Sequence, residues 1–316
     1  MQLFIDTNIF FTFFNLSSES IDELKKALVL HEHERLTLWL PEQVEDEFWR
    51  NRESVINQVI SEFKKESQNG QVPQIVRYSD KADDLIQNLK EYKRLKQSIL
   101  NDVSEKIEAQ NLEADEAINE IFKSGKKIER TQEITDSALL RYDLGNPPGK
   151  KGSYGDAVNW LSLLQAVPDD NDLHIVTDDG DYFSELQKDQ ANEFLRREWK
   201  KRKSGELFVY KRLSQYISKN HPEATNVAEI EKNIAIENLQ DSGSFQRTHS
   251  VISELSSFGS FNQSQAMKII EAYLINEQIN WIAKDADVKA FGEKIAKAHK
   301  DDIEEEKLNE FKELFV

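Results

Sequence analysis

At 316 residues the chain exceeds the roughly 250 that one hydrophobic core usually serves, so a large α/β domain with a smaller appendage is expected. Its 38% hydrophobic residues, with 5 Trp and 17 Phe, exclude a disordered chain, and zero Cys excludes disulfides, zinc-thiolate clusters and thiol nucleophiles together. A net charge of −17 repels phosphate backbones on average, so any nucleic-acid site has to be made locally, as a divalent cation held among carboxylates would make it.

Of the 6 His, only His31 and His33 are close in sequence, and on a helix they point to different sides. A bound metal is therefore expected to be mainly oxygen-ligated. No apolar run approaches the ~20 residues that span a bilayer, and MQLFIDTNIFFTFF lacks a basic leader, so a cytoplasmic location without a membrane partner is expected.

Gln2 to Ile5 reads as a short strand and Leu36 to Leu40 as another, with an amphipathic helix between them capped by Ser18 or Ser20. Pro41 then opens a long helix, along which Val44, Phe48, Ile56, Val59 and Phe63 recur at helical spacing. Gln74 to Tyr78 is a candidate strand. From about 80 to 130 a charged segment free of Pro, with apolar residues every three or four positions, predicts an inserted helical pair. Ile134 to Leu144 is a further helix, closed by the Gly-Pro loop 145–152. A helix opens at Gly155-Asp156, Leu173 to Thr177 is a buried-type strand, a basic helix surrounds Arg196 to Lys203, and Leu207 to Tyr210 is a last strand.

Strands alternating with helices predict an α/β fold: a parallel sheet flanked by helices over 1–217, with functional groups at the carboxyl ends of its strands. Residues 218–316 form a smaller all-helical module, with helices expected over Ala266 to Ile279, Asp287 to His299 and Asp302 to Phe315, the second weakened by Gly292. That module could dock a protein partner or self-associate.

Asp6 follows the first strand directly, beside Thr7 and Asn8, which can hydrogen-bond in a turn. Asp179 and Asp181 lie past another strand end, with Gly180 between them to permit a tight turn. Asp156 sits in the first turn of a helix, where the dipole favours a carboxylate. Glu47 lies in the second turn after Pro41, about 60° outside the apolar arc that starts at Val44; Glu45, nearer the middle of that arc, is the alternative. Gathered at one sheet edge, such acids repel unless a cation sits among them, and Mg²⁺ or Mn²⁺ fits an oxygen-only set. Lys150, Lys151, Tyr154 and Arg50 are the groups best placed to hold a nucleic-acid backbone or stack on a base. The basic run 196–203 is either a nucleic-acid track or a charged helix face.

In order and surroundings these acids resemble the PIN-domain nuclease family over roughly Met1 to Ser204. Phe4-Ile5-Asp6-Thr7-Asn8 is similar to its opening strand and first acid, and Pro41 through Val44 to Glu47-Phe48 to its proline-led helix. Gly155-Asp156-Ala157-Val158 is similar to its third-acid helix start, and Thr177-Asp178-Asp179-Gly180-Asp181-Tyr182-Phe183 to its closing Thr-x-Asp-x-Asp-Phe segment. The last carries Tyr182 ahead of Phe183 where the family has Phe directly. The resemblance implies an endonuclease hydrolysing phosphodiester bonds, RNA favoured over DNA and single-stranded DNA as a second substrate. Asp6, Glu47, Asp156 and Asp179 would be the catalytic metal ligands, Asp181 an auxiliary acid, and Thr7 and Asn8 supporting groups. Two other readings compete: a catalytically silent PIN-like scaffold, and an aspartate-nucleophile phosphatase. The second is disfavoured because Asn8 stands where a general acid is needed.

Overall fold

The computed structural model describes residues 1–15, 19–65, 72–149, 154–300 and 302–315. The chain divides into two compact units, Met1–Pro222 and Glu223–Val316.

In the first unit a short apolar strand, β1 (Gln2–Ile5), runs into α1 (Thr7–Thr12), and α2 (Ile21–Glu32) returns the chain to β2 (Thr37–Pro41). Asp6 caps α1 by accepting from the Thr7 N–H, so the expected turn after β1 is a helix start. Ser20 caps α2; Ser18 lies outside the described residues. The long α3 (Glu42–Lys65) leaves β2 directly, and a 3-10 turn occupies Gln74–Tyr78, where a strand was expected. The inserted pair is α4 (Ala82–Glu108) and α5 (Glu113–Ser124), after which β3 (Lys126–Ile128) pairs with β2. Nothing in the sequence announced β3: with two exposed lysines and one buried Ile it has no readable alternation. Then follow α6 (Gln132–Asp143), α7 (Gly155–Ala166), β4 (Leu173–Val176), α8 (Glu193–Lys203), β5 (Leu207–Tyr210) and α9 (Leu213–Asn220).

All five strands are parallel, in the order β3-β2-β1-β4-β5. From β1 the chain first builds outward through β2 to β3, then crosses to the other side of β1 for β4 and β5. The switch point lies between the carboxyl ends of β1 and β4, the place where open α/β sheets bind ligands. The first unit continues past 217 because α9 packs Leu213, Tyr216 and Ile217 beside α2, β4 and β5.

Two contacts lock α3 to its surroundings. Phe48, fully buried, meets Phe10 of α1 edge-on at 6.5 Å, Phe122 of α5 at 5.3 Å, and Phe11 in a 5.5 Å stack. One turn further, Arg52 grips Asp115 of α5 through two hydrogen bonds of 2.7 and 2.5 Å, with both side chains buried. At the far edge Gly205 is required by close approach, since a Cβ there would stand 1.9 Å from the Asn171 carbonyl oxygen.

The second unit is helical: α10 (Val227–Gln240), α11 (Phe245–Ser257), α12 (Gln263–Ile275), α13 (Glu277–Trp281), α14 (Ala286–Ala298) and α15 (Glu305–Glu313). The helices expected from the sequence omit α10 and α11 and run α12 and α13 together; Asn276 divides them, ending one and capping the next. Gly292 does not weaken α14 without return, because the Phe315 ring lies where its side chain would be.

Removing one partner of the Arg52–Asp115 pair strands a buried charge. Asp115→Ala is expected to lower unfolding free energy by about 3–5 kcal/mol, measured by urea denaturation.

Candidate active site

The carboxyl ends of β1 and β4 are tied together by a small polar lattice. The backbone leads: Asp6 N–H donates to the Val176 carbonyl at 2.9 Å. The buried Asp6 carboxylate then accepts from the Thr7 N–H at 2.7 Å, from the Asn8 amide at 2.8 Å and from the Thr177 hydroxyl at 2.6 Å. Thr177 Oγ1 in turn accepts from the Asp179 N–H at 3.0 Å, and Asn8 Oδ1 accepts from the Asp178 N–H at 3.2 Å. Asp179 Oδ1 accepts from the Asp181 N–H at 2.9 Å, which closes the turn. Of the expected supporting groups, Asn8 bridges both strand ends through its side chain, while Thr7 contributes its backbone.

Every donor to Asp6 is neutral. Burial raises its pKa to about 6, against the Thr177 and Thr7 hydrogen bonds that lower it, with the charges of Glu47 and Asp179 adding to the rise. Asp156, in the first turn of α7, is pushed to about 8 by burial and then by Asp6, Asp179, Glu47 and Asp181 in turn. The five acids singled out in the sequence thus share one electrostatic neighbourhood, although they come from four separated segments.

Glu47, rather than Glu45, is the α3 acid that Asp6 and Asp156 feel. Glu45 is bound to Lys127 of β3 instead. The Gln43 amide donates to Glu47 Oε2 at 3.4 Å. Gln43 and Arg52 are buried as well as Val44 and Phe48, so the inward face of α3 is wider than its apolar residues suggest and takes in the direction of Glu47.

Among the described residues no three carboxylates or imidazoles are so arranged as to hold one metal ion directly. Like charges lower their energy by standing apart. The donor chemistry, oxygen throughout, is that of a hard divalent cation.

Beside Glu47 a groove of about 450 Å³ passes between α3, α6 and α7, lined by Arg50, Asn51, Arg130, Tyr154 and Gly155. Arg50 is exposed and pairs with no described residue, whereas Arg130 is held by Asp46 at 2.8 Å and Gln43 at 2.8 Å. Tyr154 is 43% exposed and meets Tyr142 edge-on at 4.9 Å. Lys150 and Lys151 lie outside the described residues. Three cations of the basic α8 are held by acids: Arg197 pairs with Glu193 at 2.8 Å, Lys200 with Glu206 at 2.6 Å, and Lys203 with Asp169 at 3.0 Å. Thr177 and Arg130 were not named as site residues from sequence. Thr177 stood in the closing motif and could have been found there; Arg130, between β3 and α6, carried no signal.

The first unit is a five-stranded parallel sheet flanked by helices, with Asp6 directly after β1 and Asp179 three residues past β4. A family model described as the PIN domain matches residues 3–182, more than half of the chain, and the chain belongs to that family. PIN domains are generally nucleases that act on nucleic acids and typically use divalent metals. No curated protein and no solved structure matches the chain. No described helix is long and apolar enough to cross a membrane.

Because Asp6 and Asp156 hold protons in the folded chain that the unfolded chain, with a carboxyl pKa near 3.8, has lost, the cluster stabilises the fold at low pH. That contribution falls as pH rises from about 4 through 6 to 8. Denaturation in EDTA at pH 5 and pH 8.5 is expected to give a loss that is smaller in Asp156→Asn than in the natural sequence; equal losses would contradict the assignment.

Proposed function

We propose that the chain is a divalent-metal-dependent endonuclease that hydrolyses phosphodiester bonds, RNA in preference to DNA, and that Asp6, Glu47, Asp156 and Asp179 hold Mg²⁺ or Mn²⁺. The observation that supports this most is the mutual coupling of four acids, two of them with strongly raised pKa values, at the β1–β4 switch point. A cation bound there supplies an activated water and neutralises charge gathering on the phosphoryl oxygens.

The chain's own groups do the positioning. Thr177, Asn8 and the Thr7 N–H fix the Asp6 carboxylate, and the Asp181 N–H fixes Asp179, with Asp181 itself an auxiliary acid on the same turn. The groove beside Glu47 gives a strand its path: Arg50 meets backbone phosphate and Tyr154 offers a face for an unpaired base. Stacking on Tyr154 requires a base free of its partner, which favours single-stranded substrates. Lys150 and Lys151, which precede Asp156 in the sequence, would add cations for the backbone. A cytoplasmic location goes with this reading, and the C-terminal helices would serve a protein partner or a second copy.

The net charge of −17 favours the other reading, a silent PIN-like scaffold. Labelled RNA and single-stranded DNA, incubated with Mn²⁺, separate the two. Asp6→Asn and Asp156→Asn are expected to slow cleavage by at least about a hundredfold, beyond what loss of an outer-sphere partner brings. No cleavage by the natural sequence, or equal cleavage by all three, would leave the scaffold.

A further inference from the structure

Among the described residues, buried side-chain polar atoms without a hydrogen-bond partner occur in only four: Thr7, Glu23, Asn159 and Tyr182. Three of these flank the acids. Thr7 follows Asp6, Asn159 lies one turn beyond Asp156 on α7, and Tyr182 ends the turn that begins at Asp179.

Tyr182 is the most constrained. Its ring is fully buried, its N–H donates to the Asp179 carbonyl at 3.3 Å, and its carbonyl accepts from the Asn192 N–H at 2.8 Å. The backbone is held on both sides, and the buried hydroxyl is shielded from water and has no partner among the described residues. A buried hydroxyl without a partner is unfavourable, and a Phe ring would fill the same space without that penalty. Burial, and after it the charges of Asp156, Asp6 and Asp179, push the phenol's pKa up, against the Arg141 charge that lowers it. Asp6 has three donors, whereas no described group donates to the Asp156 side chain.

We propose that Tyr182 is a positioning residue of the cation site: in the cation-bound protein its hydroxyl donates to the Asp156 carboxylate, directly or through one water, and orients that ligand. The proposal rests on the cation-binding reading above. An outer-sphere donor of this kind raises affinity without touching the ion.

The test compares the full natural chain with Tyr182→Phe, using Mn²⁺ calorimetry, thermal melting in EDTA and the near-ultraviolet tyrosine difference spectrum on adding Mg²⁺. Tyr182→Phe is expected to weaken Mn²⁺ binding roughly tenfold to hundredfold. It should leave the melting temperature in EDTA unchanged or higher and abolish a Mg²⁺-induced tyrosine band that the natural chain shows. Equal Mn²⁺ affinity in the two proteins would overturn the proposal alone. A melting temperature in EDTA that falls along with affinity would make Tyr182 merely structural and overturn it too. No Mn²⁺ binding by the natural chain would defeat the cation-binding reading and this proposal together.

Discussion

Asp6 is buried just past the end of a central strand, where its three hydrogen-bond donors among the described residues are all neutral, and those donors tie β1 to β4. A carboxylate withdrawn from water needs donors, and the donors come from both sides of the sheet's switch point: Thr7 and Asn8 after β1, Thr177 after β4. The same bonds that satisfy Asp6 join the two strand ends, and through Thr177 they orient the turn carrying Asp179 and Asp181. The charges of the neighbouring acids add to the rise in the Asp6 and Asp156 pKa values that burial begins. On the proposed reading, a divalent cation would offset that repulsion.

The helical scaffold carries the remaining acids to the edge from a distance. Phe48 sits immediately after Glu47, and its contacts with Phe10 and Phe122 set the rotation of α3 against the helix that Asp6 caps. The Arg52–Asp115 pair fastens the same helix to the insertion, so α5 supports the site without contributing an acid. The α7 start, which bears Asp156, packs against α3 and α6. Glu47 and Asp156 therefore stand on elements braced by aromatic packing and a buried ion pair, as a site that has to hold its geometry under repulsion demands.

The first and last motifs were legible because an apolar run that stops at a short polar residue declares the end of a strand, as Phe4-Ile5-Asp6 and Ile175-Val176-Thr177 do; the burial of Asp6 was not legible, because its donors come from behind two different strands. The period of α4 was equally plain, since no Pro or Gly interrupts it. Other features were illegible for physical reasons. The three residues of β3 become a strand only by pairing with β2, and α11 is rich in Ser and Thr, poor helix formers whose helix is held by the burial of Val251, Ile252 and Leu255. Glu47 looked misplaced on a wheel drawn from apolar residues because the buried face of α3 includes Gln43 and Arg52, polar groups that hydropathy counts as outward.

Whether the acid edge gathers a cation is decided most directly by a crystal soaked in Mn²⁺ and measured for anomalous scattering. The account predicts a peak at the carboxyl ends of β1 and β4, held by Asp6, Asp156 and Asp179 either directly, at about 2.1 Å, or through water, with Glu47 on its α3 side. A peak confined to other acids of the surface, or none at this edge at saturating Mn²⁺, would contradict it.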